Sequence, residues 1–400
     1  MQSILRVFSF DMMSKILIGI IGILLIRYMD TSEYALYTFS LSIINIVAQT
    51  LSNTFRRFYI VGYDNGFKDK QIESFIGAQL LIIICFALFF IFYTQKVDIV
   101  DFLIINTIFG ITFLEFTKTI FQRELNFKQF SKIEIVRSLT FFFLTIILIY
   151  TLKYNLNAWQ VLLIQSNTMI LITVAFLWNK IKIKNLLKFN DFIQTGKEIV
   201  RGPYKYLIFY VFFSTILSQL DVLMLKYLSN NYHLANYGSA FRYYSLLLLA
   251  LGSINSVLLP VIQNIKTRSE VDTIYSKHNK LLIVFIPIVL LGAWLSNWVL
   301  PIIDMGKYPD AVFIFQILSF SAIISFVFSP HTNFVMKFED FKFLFCIIIV
   351  AVILNIILNL IAIPLYGSIG AALSTLITFG FSNSMTFIRA QKHRKSLPVS

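Results

Sequence analysis

Residues 343–388 run for 46 positions without an Asp, Glu, Lys or Arg. Six more charge-free stretches occupy 34–55, 74–95, 154–179, 243–265, 281–303 and 311–336. A bilayer core about 30 Å thick is crossed by about 20 apolar helical residues, so each stretch is long enough to span it. Composition agrees. The 400 residues are 58% apolar and 14% charged, with 42 Phe and a mean hydropathy of +0.77. Soluble domains carry about 45–50% apolar and 25% charged residues, and no water-soluble fold of this size hides so much apolar surface. The sequence therefore describes an integral membrane protein. It excludes a disordered chain, a disulfide-rich secreted scaffold and a cytosolic enzyme.

With the shorter or lightly charged runs added, the sequence predicts twelve transmembrane helices. They cover 12–28, 33–55, 74–94, 98–121, 134–151, 156–178, 204–228, 233–262, 281–303, 309–337, 342–364 and 367–389. The last charge-free run breaks at Pro364-Leu-Tyr-Gly367, which makes it two helices. The runs are too long and too uniformly apolar for the alternating pattern of a barrel, so the fold class is all-α. Of the 34 Lys and Arg residues, 27 fall on the face shared by the termini. Five fall opposite (Arg27, Lys96, Lys153, Lys226, Lys307), and Arg137 and Arg242 lie within helices. That bias places both termini in the cytoplasm of a multi-pass inner-membrane protein. It also accounts for the +14 charge without nucleic acid. The basic loops are expected to attract anionic headgroups. The first apolar run ends in Arg27-Tyr28 rather than a small-residue cleavage site, so no cleavable signal peptide is expected.

The longest basic loop, 179–205, carries Lys180, Lys182, Lys184, Lys188, Lys197, Arg201 and Lys205 and divides the helices six and six. This predicts an N-terminal lobe at 1–195 and a C-terminal lobe at 196–400. Arg27-Tyr28 with Tyr34 to Tyr37 is echoed by Lys226-Tyr227 with Leu234 to Tyr237, in the same orientation. Such a parallel repeat implies a pseudo-two-fold axis along the membrane normal. Connections on the far face are only about four to nine residues long, too short for the catalytic loop of an enzyme acting on lipid-linked sugars. No phosphate-binding glycine loop is present, and Cys85, Cys346 and four scattered histidines offer no metal-site spacing. No cofactor is expected.

Leu220-Asp221-Val222-Leu223-Met224-Leu225, Tyr237-Gly238-Ser239-Ala240-Phe241-Arg242 and Leu251 to Pro260 resemble the polysaccharide biosynthesis, or O-antigen flippase, family. Leu354 to Leu360, Ile363-Pro364-Leu365-Tyr366-Gly367 and Gly370-Ala371-Ala372 are similar to that family's C-terminal signature. Ala35 departs from it where glycine is usual, and so does Lys226 where a small residue is common. The resemblance is dense over 215–262 and 320–380 and thin over 60–200. It implies the multidrug/oligosaccharidyl-lipid/polysaccharide exporter fold, two six-helix lobes opening alternately to either side. It further implies that an undecaprenyl-diphosphate-linked oligosaccharide moves from inner to outer leaflet, and that the protein is not an enzyme.

Ionisable residues within the spans are costly and each needs a reason. Asp221 and Arg242 lie at matching depth on consecutive helices, which permits either a structural salt bridge or an arginine held ready for a diphosphate. Glu115 pairs locally with Lys118 or Arg137, or else Glu115 and Arg137 face the cavity and give a dianion a second cation. Arg242, Asp221, Arg137 and Glu115 are therefore the candidate substrate-binding residues. His331 follows Pro330, and its ring is expected to satisfy a carbonyl freed by that proline; a proton relay is the alternative. Pro287 and Pro330 interrupt two helices at similar depth, as packing kinks or, with His331, as a paired inner hinge.

The expected function is flipping of a lipid-linked oligosaccharide through a cationic cavity, with the polyprenyl-diphosphate-linked sugar as partner. A proton- or sodium-coupled drug or metabolite antiporter of the same fold is the alternative, although the first helix holds no acid over 12–28 and Glu115 is the one acid well inside the first lobe. An enzyme on lipid-linked sugars is disfavoured by the short loops. An added scaffolding role toward a polysaccharide polymerase and glycosyltransferases is compatible with the sequence.

Overall fold

The computed structural model describes residues 2–61, 72–95, 98–124, 126–152, 156–178, 180, 189–201, 205–263 and 265–398. Lys96, Lys153, Lys182, Lys184 and Lys188 lie outside the described residues. The described chain is helical, with one isolated bridge pairing Met29 and Leu156. The helices are α1 (Gln2–Tyr28), α2 (Thr31–Val61), α3 (Ile72–Thr94), α4 (Ile99–Arg123), α5 (Phe127–Thr151), α6 (Ala158–Leu177), α7 (Phe189–Arg201), α8 (Lys205–Leu228), α9 (Asn231–Gln263), α10 (Arg268–Ile303), α11 (Ala311–Lys337) and α12 (Phe341–Ser396). Among the described residues, nine of these meet the length and apolarity of a membrane span. The 27-residue α1 and 33-residue α9 are also of spanning length.

The long α12 is two helices. Gly367 adopts φ 55° and ψ −132°, a conformation that only glycine takes without strain. Gly370 lets the halves close up, because a Cβ there would sit 2.2 Å from the Ala362 carbonyl oxygen. Pro287, Pro301 and Pro330 instead lie inside α10 and α11, whose helical path continues through them.

The sequence did not anticipate α7. Part of the basic 179–205 segment forms a 13-residue amphipathic helix whose buried side chains, Phe192, Thr195 and Ile199, fall on one face at helical spacing. It docks on α3, where Phe192 fills the space left by Gly77; a Cβ at Gly77 would meet its ring at 2.4 Å.

The chain divides into two compact units, Met1–Thr215 and Ile216–Ser400. In the first, α2 packs on α4, α4 on α6 and α1 on α5. Gly110 allows the close approach of α4 to α6, where Asn106 Nδ2 also donates to Ser166 Oγ at 3.1 Å. The end away from the N-terminus is tied by Leu156 N–H donating to the Tyr28 carbonyl (3.4 Å). Glu33 Oε2 accepts the first N–H of α6, from Ala158, at 2.8 Å.

In the second unit α9 and α12 pack against α11, and α10 lies beside it. Its basic end is clasped by the last turns of α12. Asp340 Oδ2 accepts from Arg389 Nε (2.5 Å) and His393 Nε2 (3.0 Å), and the Phe338 ring stacks on His393 at 4.5 Å. Arg394 pairs with Asp272 at 2.5 Å, and the Arg268 N–H donates to the Pro398 carbonyl at 2.8 Å. The bonds from Arg389 and His393 hold the Asp340 carboxyl below its usual range against the opposing effect of burial.

Candidate functional site

Among the described residues, each unit holds a multi-residue polar cluster within its spans, and the two differ in charge. In the first unit four ionisable side chains from α4 and α5 form a chain of alternating sign. Lys118 Nζ lies 2.8 Å from both Glu115 Oε1 and Glu134 Oε2, and Arg137 binds Glu134 Oε1. Ser14 of α1 donates to the Glu134 backbone carbonyl at 3.2 Å and to its Oε1 at 3.3 Å. The spacing explains the arrangement. Glu115 and Lys118 are one turn apart, as are Glu134 and Arg137, and Lys118 joins the turns across the helix contact. Two carboxylates and two cations leave no formal charge, which is how a low-dielectric interior tolerates four ionised groups. The Glu115–Lys118 pairing was legible from spacing. Glu134 was not, because it opens the predicted 134–151 helix, where an acid reads as an ordinary helix-end charge, whereas α5 begins two turns earlier.

In the second unit Asp221 is buried to 4% exposure. Its partners are hydroxyls and an amide. Tyr237 Oη donates to Oδ2 at 2.5 Å, Thr375 Oγ1 donates to the same oxygen, and Asn359 Nδ2 donates to Oδ1 at 2.8 Å. The same Asn359 nitrogen donates to Asn355 Oδ1 at 2.9 Å. Among the described residues no cationic side chain pairs with Asp221. Asn359 Oδ1 and Asn355 Nδ2 are buried without a hydrogen-bond partner. The structure thus brings Asp221 to Tyr237 rather than to Arg242. Five residues on along α9, the helix has turned about 140° past the tyrosine, so Arg242 occupies another side, half-buried. The carboxylate is met by three hydrogen donors, and the cluster also holds the amide oxygens of Asn355 and Asn359, so its carboxylate, amide and hydroxyl oxygens are the atom types a hard cation takes.

Pro330 lacks the N–H that would bond to the carbonyl four residues earlier, that of Phe326. The structure fills that vacancy with His278 of α10, whose Nε2 lies 3.0 Å from the Phe326 oxygen, and not with His331. His331 instead lies against the rings of Tyr275 (4.5 Å) and Phe387 (4.9 Å), with Nδ1 unpartnered among the described residues. The expectation that His331 serves the proline's carbonyl is therefore corrected. The adjacent residue follows the helix and points elsewhere, whereas α10 presents a histidine at the correct height. Pro287 is exposed on α10 and Pro330 is buried on α11.

The described chain is thus a multi-pass helical protein in two units, each holding a buried polar cluster among helices long and apolar enough to span a membrane. The model of the polysaccharide biosynthesis protein family matches residues 1–266, and the chain belongs to that family. An uncharacterised membrane protein of Methanocaldococcus jannaschii is 25% identical over 332 residues. That match covers 78% of this chain and 64% of the relative's length. The fold is similar to that of the lipid II flippase MurJ in an inward closed conformation. There the TM-score is 0.76 at 16% identity, with 99% of this chain and 88% of that one covered. An inward-facing multidrug resistance MATE family transporter of the MOP superfamily gives 0.69 at 13% identity, with 98% of each chain covered. At these identities the likeness establishes the fold, the all-helical architecture those two proteins share.

Proposed function

We propose that this protein flips a polyprenyl-diphosphate-linked oligosaccharide, an O-antigen or capsule repeat unit, from the inner to the outer leaflet of the bacterial cytoplasmic membrane by alternating access. Membership of the polysaccharide biosynthesis family carries this reading, and the flippase fold supports it. The work required is physical. Sugar hydroxyls and two phosphates must cross about 30 Å of hydrocarbon, where each unpaired polar group costs several kcal/mol. A cavity with cationic side chains lowers that barrier while the polyprenyl tail stays in lipid. Arg242 and Arg137 supply the cations in this reading. Glu134 balances Arg137, Glu115 with Lys118 completes the cluster, and Pro287, Pro330 and His331 accommodate the rocking of helices. Both termini face the cytoplasm, where the basic loops meet anionic lipid, and a polymerase and glycosyltransferases act on either side of the step.

Asp221 takes a separate role. Its oxygen-lined nest, with an amide oxygen left unpartnered, supports reversible occupation by a proton or Na+ that drives the cycle. The same feature favours the second reading, a cation-coupled drug or metabolite antiporter. Mass spectrometry of extracted polyprenyl-diphosphate sugars after depletion of the protein separates the two. A complete lipid-linked repeat unit accumulates if the protein is the flippase. An unchanged lipid profile with altered drug or metabolite sensitivity would favour the antiporter. Lipid-linked sugars that accumulate already flipped but unpolymerised would point to an enzyme. Arg242→Ala is expected to abolish transport at near-normal protein level; loss of folded protein would make that arginine structural.

A further inference from the structure

The groups around Asp221 come from two helical hairpins. Asp221 lies seven residues before the end of α8 and Tyr237 six residues after the start of α9, about 9–10 Å below the turn between them. Asn359 and Thr375 each lie eight residues from Gly367, about 12 Å below the break in α12. The nest therefore exists only while the two hairpins stand in one register.

One side chain touches both turns. His233, in the first turn of α9, has its backbone N–H held by Asn230 Oδ1 at 3.1 Å. Its ring lies directly on Gly367, where an added Cβ would sit 2.4 Å from ring atoms. Nδ1 is 3.3 Å from Ser368 Oγ and accepts the Ser368 backbone N–H at 3.5 Å. That N–H opens the second half of α12 and is one of the donors a helix start leaves unsatisfied.

We infer that His233 is a positioning residue for the Asp221 nest, fixing the register of the α8–α9 hairpin against the α12 hairpin. A slip of one residue moves a helix about 1.5 Å along its axis and turns it about 100°. A tilt of about 5° about the pin displaces groups 12 Å below by about 1 Å. Hydrogen bonds of 2.5–2.8 Å to the carboxylate survive neither change. This inference rests on the cation reading of Asp221, and the test keeps the two apart.

The full chain in detergent is melted with rising NaCl against choline chloride at fixed pH, and across pH in choline alone. Whichever arm moves the wild-type midpoint identifies the cation. D221N is expected to lose that response. H233A is expected to keep a cooperative transition but need about tenfold more Na+, or show its proton midpoint moved by about one pH unit. H233N places an oxygen where Nδ1 stood and is expected to return within about threefold. S368A, which keeps the backbone donor, is expected to fall between, and it carries the test if H233A does not fold. Wild-type cation midpoints in H233A or S368A, with the response absent in D221N, would overturn the role of His233 and leave the nest. An undiminished response in D221N would overturn the nest and the inference with it.

Discussion

Glu134 is where the first unit is most exposed to a single substitution. Its carboxylate faces two cations, Lys118 Nζ at 2.8 Å and Arg137, from a side chain only 9% exposed. Glu134→Gln preserves volume but takes the four-membered cluster from neutral to a net positive charge. Breaking a buried pair by removing one partner costs about 3–5 kcal/mol. The same change at Glu115, which is 33% exposed and pairs with Lys118 alone, removes a water-screened interaction of about 1 kcal/mol or less. For a unit of this size each kcal/mol shifts the melting midpoint by roughly 2–4 °C. Glu134→Gln should therefore melt about 6–20 °C lower, and Glu115→Gln within about 4 °C of the parent. Tryptophan fluorescence during thermal unfolding in detergent reads both. The double variant Glu134→Gln/Arg137→Met removes one charge of each sign and leaves the Glu115–Lys118 pair, so it should regain most of the loss. Equal effects at Glu115 and Glu134, or no recovery in the double variant, would refute the argument.

Three further outcomes follow from other sites. Gly367→Ala places a methyl against the His233 ring and strains a residue at φ 55°, so a cost of about 1–3 kcal/mol should appear as a lower melting midpoint. Phe192→Ala empties the space over Gly77, and with few other contacts holding so short a helix, limited proteolysis near 179–205 should accelerate severalfold at unchanged global melting. Asp304, capping the far end of α10, has its carboxyl raised to about 6 by burial. The folded state therefore holds its proton more tightly than the unfolded chain, and its contribution to stability is lost as pH rises from about 4 through 6. Asp304→Asn should flatten that dependence, read as melting midpoint against pH.

Fold class and family were readable from the sequence because they rest on local properties. A charge-free run has to be a helix in lipid wherever it sits, since its own backbone is the one partner available. Gly367 declared itself through the Pro-Leu-Tyr-Gly motif. Glu115 found Lys118 because helical spacing alone brings them together. Asp221 illustrates the boundary. The sequence marked it as a costly buried acid and gave its depth, and depth pointed to Arg242. The helical turn of α9 presents Tyr237 instead, and Asn359 and Thr375 arrive from 138 and 154 residues away. The Phe326 carbonyl, freed by Pro330, goes in the same way to a histidine 48 residues distant rather than to the adjacent one. Which helices enter the membrane follows from the transfer free energy of each segment taken alone. Which polar atom answers another inside it depends on the rotation and register of helices packed together, and those are fixed only when every contact forms at once.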